Sequence, residues 1–98
     1  MKVSELQGAA LDWAVAKCES TLYADGGMWD LFCPSTEWEF GGPIIERERI
    51  ELEWSGPDWL AQIKADNEYY GATPLVAAMR AFVASKLGDE VEIPEELK

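Results

Sequence analysis

Hydrophobic and polar positions repeat with a helical period at both ends of this 98-residue chain. Near the N-terminus, Ser4 and Gln7 have the three-residue spacing of a capping box, which predicts that a helix begins there. Glu5, Asp12 and Glu19 fall seven residues apart, and we expect this acidic stripe to face solvent. The predicted core face of the same helix consists of Leu6, Ala9, Ala10, Trp13, Ala14 and Lys17.

The clearest helical signals lie near the C-terminus. Thr73 can cap a helix whose first position is Pro74, and Gly88 suits the left-handed residue that ends it. A second stripe of small residues on this helix permits close approach of another backbone, either the first helix or a second copy of the chain. The large apolar stripe contains Leu75, Val76, Met79, Phe82, Val83 and Leu87, and the small one contains Ala77, Ala81 and Ala84.

A period of two residues indicates strands in the middle of the chain. Ile50, Leu52 and Trp54 alternate with charged residues, and the segment 59–63 alternates in the same way. The intervening "SGPD" has the composition of a turn, so we predict a hairpin.

Two further strand predictions rest on weaker patterns. Asp25 and Gly26 stand between apolar segments and favour a tight hairpin over residues 21–32. Val91 and Ile93 are spaced as an edge strand before Pro94.

Turn-forming residues crowd the segment from Cys33 to Pro43, and we expect a loop there that becomes a strand at Ile44. The elements together predict one α+β domain over residues 1–98, with two helices packed on one face of an antiparallel sheet made of the hairpins and the C-terminal strand. The expected core includes Trp13, Trp54, Met79, Phe82 and Val83.

Charge excludes several classes of partner. Nineteen acidic and eight basic residues give a net charge of −11, whereas nucleic acid and anionic membranes are bound by basic surfaces. The apolar runs are too short for a signal peptide or a membrane span, so we expect a cytosolic protein. The acidity has two interpretations: solubility, or attraction toward a basic partner, including proteins that normally bind DNA.

The chain has few of the residues on which common catalytic sites depend. It contains no His, and Cys18 and Cys33 are too far apart for a CxxC motif, so we predict no metal and no cofactor. Carboxylate pairs at Glu46 with Glu48 and Glu51 with Glu53 could serve acid–base chemistry or hold Mg²⁺ or Ca²⁺, but a solvated face with Arg47 and Arg49 is the simpler interpretation. We therefore predict a protein that is not an enzyme.

Two segments have the composition of binding elements. Trp38 and Phe40 lie among turn residues, where aromatic side chains either anchor a partner or cover the core. Tyr69 and Tyr70 precede Thr73, so that a stacking platform would adjoin a helix N-terminus that attracts anions, although an ordinary capped helix has the same residues.

Arg80 borders the apolar stripe of the last helix, and its guanidinium could pair with Glu46 or Glu48 or with a ligand phosphate. We predict that Trp38, Tyr70, Thr73 and Arg80 bound a single surface. This surface is the candidate site, together with Phe40 and Tyr69.

The segments "GAALDWAVAKCE", "PSTEWEFGGPIIERE" and "YYGATPLVAAMRAFVASKLGDEVEIPEEL" resemble the NinX-like family of small proteins from lambdoid and other enterobacterial phages. The resemblance implies a phage accessory protein that acts in the host bacterial cytoplasm. Three classes of function fit it: a modulator that binds a host nuclease, recombination or defence protein; a sponge that sequesters a small nucleotide-like ligand; and a carboxylate-based enzyme.

Overall fold

The helix near the C-terminus lies at the centre of the described structure, where it contacts the sheet, the other helices and the N-terminal 3₁₀ turn. The computed structural model describes residues 1–19, 33–63 and 67–97, and within them this helix, α3, spans Pro74–Leu87. The Thr73 hydroxyl accepts a hydrogen bond from the Val76 N–H at 3.1 Å, and Gly88, with φ of 89°, follows the last residue. The predicted cap and first position are confirmed. The helix also ends at Gly88 as predicted, but the ψ of −175° at this residue lies outside the left-handed helical region that was expected.

The sheet has three antiparallel strands in the order β1-β2-β3. Strand β1 spans Glu51–Trp54, β2 spans Trp59–Gln62 and β3 spans Glu68–Gly71. The predicted hairpin between β1 and β2 is confirmed, and its turn is closed by a hydrogen bond from the Ser55 N–H to the Asp58 carbonyl at 2.9 Å. Strand β3 was not predicted, because its "EYYG" is short and adjoins the turn residues before α3.

Helix α3 lies against the sheet so closely at Gly71 that no larger residue fits. A Cβ atom at this position would lie 2.5 Å from the Ala77 backbone nitrogen and 2.9 Å from Val76 Cγ1. The small stripe of α3 does permit close approach of another backbone, and at Ala77 that backbone is strand β3. This contact fixes the distance between the helix and the edge of the sheet.

Helix α1 spans Gly8–Glu19 and packs against α3. It begins at Gly8 instead of directly after the predicted cap, Ser4, which lies within a single 3₁₀ turn at Val3–Glu5. The prediction that its acidic stripe faces solvent is wrong at Asp12, which is 8 % exposed and accepts a hydrogen bond from the Ser35 N–H at 2.9 Å. The carboxylate therefore ties α1 to the segment that enters the next helix.

That next helix, α2, spans Trp38–Glu48, where a loop and the beginning of a strand were predicted. The prediction was wrong because Gly41 serves packing rather than a turn: a Cβ there would lie 2.5 Å from both Leu75 Cδ2 and the Pro34 carbonyl oxygen. Gly41 and Ile44 are buried, and Phe40 and Ile45 pack beside them at helical spacing. This buried stripe outweighs the helix-breaking tendency of Pro43.

The two ends of the chain pair with each other. Val91 and Ile93 are buried, but they do not form the predicted edge strand of the sheet. Instead, the Val91 N–H donates to the Met1 carbonyl and the Val3 N–H donates to the Asp89 carbonyl, each at 2.9 Å, around an isolated bridge between Lys2 and Glu90. The C-terminal segment thus covers the core beside the N-terminus.

The predicted α+β class is confirmed, with three α-helices rather than two among the described residues. The hairpin predicted around Asp25 lies outside the described residues. Met79, Phe82 and Val83 are fully buried as expected, whereas Trp13 is half-buried and Trp54 is 55 % exposed because it lies at the end of β1. Within the described ranges, no helix is both long enough and apolar enough to cross a membrane.

Replacing Phe82 with alanine tests the assignment of the core. Phe82 is completely buried in α3, so Phe82→Ala should lower the free energy of unfolding by about 3–5 kcal/mol. Leu87→Ala, on the same helix but 39 % exposed, is the control and should cost less than about 1 kcal/mol. Urea denaturation measures both, and equal losses would contradict the assignment.

The buried carboxyl of Asp12 should give the stability a distinctive pH dependence. Burial raises the pKa of Asp12 above its ordinary value of 3.8, and hydrogen bonds from Ser35 oppose the shift. Between 3.8 and the higher folded-state pKa the folded protein binds more protons than the unfolded chain, so the stability contributed by Asp12 falls as pH rises through this interval.

Asp12→Asn removes this titration and keeps an oxygen acceptor for the Ser35 N–H. Its free energy of unfolding should therefore rise relative to that of the wild type as pH rises from 3.8 through the folded-state pKa of Asp12. Asp12→Ala, which has no acceptor, should be less stable than Asp12→Asn at every pH. Urea denaturation at a series of pH values measures the differences, and a constant gap between wild type and Asp12→Asn would contradict the prediction.

Candidate functional site

The free edge of β3 is the first component of the candidate site. The Ser55–Asp58 hydrogen bond and the strand register place the backbone groups of Leu60 and Gln62 toward β1, and those of Trp59 and Ala61 toward β3. On β3 itself, Tyr69 and Gly71 therefore bond to β2. The N–H and carbonyl groups of Glu68 and Tyr70 point away from the sheet.

Arg80 confirms this orientation because it reaches the outer edge from α3. Its Nη1 donates to the Tyr70 carbonyl at 2.7 Å, and its Nε donates to the Leu6 carbonyl at 2.8 Å. The guanidinium thus joins the edge of the sheet to the N-terminal segment. Neither of the predicted partners, Glu46 and Glu48, contacts it, and partial burial lowers the pKa of Arg80 from its ordinary value.

A groove of about 590 Å³ runs along this edge. One wall is the strand from Glu68 to Ala72, and the other is formed by Lys2, Ser4 and Asp89. Asp58 and Arg80 complete the lining. The groove therefore contains three carboxylates and two cations, and the guanidinium of one cation already bonds to two backbone carbonyls.

Tyr69 and Tyr70 face opposite sides of the strand, as neighbouring residues in a strand do. Burial and, secondarily, the charge of Asp89 raise the pKa of Tyr69, so its phenol is neutral and can donate a hydrogen bond. Tyr70 is 47 % exposed on the face of the sheet that is turned away from α3. The two rings do not form a common stacking platform.

Trp38 lies in a different, smaller groove of about 290 Å³ beside the start of α3. The indole is 54 % exposed, and Thr36, Thr73, Leu75 and Val76 are among its neighbours in the lining. The helix N-terminus there offers few donors to an anion, since Pro74 has no N–H and the Val76 N–H is bonded to Thr73. This groove is mainly apolar in character.

The structure thus divides the predicted site residues. Trp38 and Thr73 share one groove, and Tyr69, Tyr70 and Arg80 share the other. Phe40 is half-buried against the core. Neither of these two grooves contains both Trp38 and Arg80, and the binding roles of these residues remain predictions.

The sequence analysis did not predict the free edge of strand β3. Glu68 and Lys2 were not singled out, because their position beside Tyr70 depends on β3 being an edge strand and on the pairing of the two chain ends. The alternation of Glu68, Tyr69 and Tyr70 was the signal that could have indicated a strand.

Glu48, from one of the predicted carboxylate pairs, and Cys18 make contacts that stabilise the fold. Arg47 donates to both carboxylate oxygens of Glu19 and to Glu48 at 2.9 Å, and its hydrogen bond holds the pKa of Glu48 below the usual value. Burial raises the pKa of the Cys18 thiol to about 11, which leaves it protonated. Within the described ranges, no three His, Cys, Asp or Glu side chains are grouped to hold a metal ion.

Among the described residues, one helix packs on a three-stranded antiparallel sheet, two more helices pack on that helix, and a groove with three carboxylates lies at the sheet edge, which defines a small α+β protein. The model of the family described as "Bacteriophage P22, NinX" matches residues 2–86, and the chain belongs to this family. The resemblance noted from the sequence is confirmed, and the protein is a phage accessory protein. No curated protein matches the sequence.

Arg80 should contribute to the stability of the fold, independently of any role in binding. Arg80→Ala removes two charge-assisted hydrogen bonds and leaves the Leu6 carbonyl without its donor, so the free energy of unfolding should fall by roughly 2–3 kcal/mol. Arg80→Lys, which cannot donate from a planar fork, should recover only part of the loss. The exposed Arg49 provides the control, and Arg49→Ala should cost less than about 0.5 kcal/mol. Urea denaturation of the three variants would contradict the prediction if Arg80→Ala and Arg49→Ala were equally stable.

Proposed function

We propose that this protein is a non-catalytic phage accessory protein that binds a basic host protein in the bacterial cytoplasm and modulates it. A nuclease, recombination or defence protein is the class of target, because such proteins have basic surfaces for nucleic acid. The observation that carries the proposal is the open face of the sheet, which has three carboxylates and no helix packed on it among the described residues.

The strand register identifies the residues of this open face. Ala61 and Gly71 are buried toward α3, so the alternate positions of each strand face the other way. These positions form two cross-strand rows: Glu51, Gln62 and Glu68 in the first, and Glu53, Leu60 and Tyr70 in the second. An apolar centre with carboxylates around it suits a basic side chain whose aliphatic stem is also buried.

Among the described residues, no ion pair joins a cation to Glu51, Glu53 or Glu68. The ion pairs among the described residues join Arg47 and Lys86 to Glu19 and Glu48, away from the open face. Lys17 lies over the Trp13 ring at 5.1 Å. With a net charge of −11 the protein produces a field that accelerates association with a basic surface.

The competing functions receive less support. A nucleotide-like ligand would bring phosphate into a groove that contains Asp58, Glu68 and Asp89, and Arg80 already donates to Leu6 and Tyr70 there. A carboxylate-based enzyme would need a second catalytic group facing Glu51 and Glu53, and both side chains are exposed on the open face.

Salt dependence tests the proposal. When the protein is immobilised and exposed to bacterial lysate, recovery of a bound host protein should fall markedly as salt rises from about 0.05 M to 0.5 M, since exposed charges are screened over about 10 Å at 0.1 M. Duplex DNA should show no shift in a gel assay at moderate salt.

A matched pair of variants locates the effect. Replacing Glu51, Glu53 and Glu68 together with glutamine should abolish most of the recovery. Glu90, Glu92 and Glu96 are exposed in the C-terminal segment, outside the open face. Replacing these three with glutamine removes the same charge and should leave the recovery of the host protein unchanged. Salt-insensitive recovery, or equal losses in the two triple variants, would refute the assignment to the open face.

A further inference from the structure

We infer that the free edge of β3 binds an extended, lysine- or arginine-containing segment of the partner as an added strand. The inference rests on the proposed function and specifies its site: the groove between β3 and the paired chain ends. Three backbone groups and the adjoining carboxylates support it.

The available hydrogen-bonding groups belong to two residues. The Glu68 N–H, the Glu68 carbonyl and the Tyr70 N–H point out of the sheet, and no described residue bonds to them. The Tyr70 carbonyl is occupied by Arg80, which therefore marks the end of the available edge. An antiparallel peptide can exchange two hydrogen bonds with Glu68 and accept a third from Tyr70, as in other cases of strand addition.

The groove provides space at this edge. Its volume of about 590 Å³ lies along Glu68 to Ala72, and Lys2, Ser4 and Asp89 stand on the opposite side. An added strand lies about 4.8 Å from the strand with which it pairs. The wall formed by the chain ends can then contact the side chains of the added segment that point toward it.

Charge selects a basic segment over an acidic one. Side chains on one face of the added strand would continue the rows of the open face beyond Glu68 and Tyr70. Lysine or arginine opposite Glu68 would pair with its carboxylate, and a stem beside Tyr70 would cover the exposed ring. Asp58 and Asp89 add negative charge to the groove, against Lys2 and Arg80.

A second copy of the chain is a poorer occupant of the same edge. Two antiparallel β3 edges would bring like carboxylates of Glu68 close to each other, and each copy has a net charge of −11. The other edge of the sheet, β1, also has outward backbone groups at Leu52 and Trp54. The β1 edge is the control within the same protein, because Leu52 and Trp54 have outward backbone groups but do not line any of the grooves identified here.

The direct test uses a synthetic peptide of four Lys-Val repeats and ¹⁵N-labelled protein. Addition of the peptide should slow hydrogen exchange at the Glu68 and Tyr70 amides by about tenfold or more, and should leave the Leu52 and Trp54 amides unchanged. A peptide of Glu-Val repeats should give no protection. A Lys-Val peptide with N-methyl groups on alternate amides, all on the pairing edge, should also fail, because it keeps the charge but cannot donate.

Variants at Tyr70 separate the backbone contribution from that of the side chain. Tyr70→Ala keeps the outward N–H, whereas Tyr70→Pro removes it without breaking the ladder to β2, since proline is tolerated where the N–H faces outward. Tyr70→Pro should bind the Lys-Val peptide about three- to tenfold more weakly than Tyr70→Ala. Trp54→Pro, which removes an outward N–H from the opposite edge, should bind as the wild type does.

The outcomes distinguish this inference from the proposed function. Protection at Leu52 and Trp54, protection at neither edge, or equal binding by the N-methylated peptide would overturn the assignment to β3. Salt-dependent recovery of a host protein would still support the proposed function in each of these cases. A shift of the free protein to a dimer with protected Glu68 and Tyr70 amides would identify a second copy as the occupant and likewise overturn the inference.

Discussion

The contact between Gly71 and Ala77 is the constraint on which the rest of the molecule depends. The strand and the helix approach until a single methyl group would clash with the backbone, and this leaves α3 buried both against the sheet and against α1. A helix enclosed in this way cannot be amphipathic in the ordinary sense, and its buried residues accordingly extend around most of its circumference. The stability of so small a domain thus depends on tight packing around one helix.

The same contact positions the candidate site. With β3 held against the start of α3, Arg80 lies within reach of the strand edge, and its guanidinium bonds to Tyr70 on β3 and Leu6 in the N-terminal segment. The N-terminal segment is in turn paired with the C-terminal one through Lys2 and Glu90. The groove at the edge is therefore built from parts of the chain that are distant in sequence and joined by one partly buried cation.

Local signals predicted those elements whose determinants are themselves local. The cap of α3 at Thr73, its stop at Gly88 and the β1–β2 turn follow from residues within a few positions of each other, and all three are confirmed. Helix α2 was missed because Gly41 has the composition of a turn but is required by Leu75 and Pro34, which no local pattern includes. Asp12 was placed in solvent because its partner, the Ser35 N–H, is 23 residues away.

The sequence predicted which residue types form the candidate site, but not how all of these residues are arranged in space. The sequence indicated that Tyr69, Tyr70 and Arg80 could act together, and they line one groove, but the separation of Trp38 from them follows from the unpredicted helix α2. The role expected of Arg80 also changed, because a partly buried guanidinium satisfies nearby carbonyls before it is available to a ligand. Residue types were thus more predictable than the directions in which they bond.

An open strand edge beside an acidic face combines two properties that are usually treated separately. Unpaired backbone groups promote association with any extended chain, and natural proteins limit this hazard with charge at the edge. Here Glu68 supplies that charge on the edge strand, and the net charge of −11 opposes pairing between copies. The same negative charge does not oppose a basic segment and instead attracts it. A feature that protects the free protein from self-association would therefore also determine which partner the edge accepts.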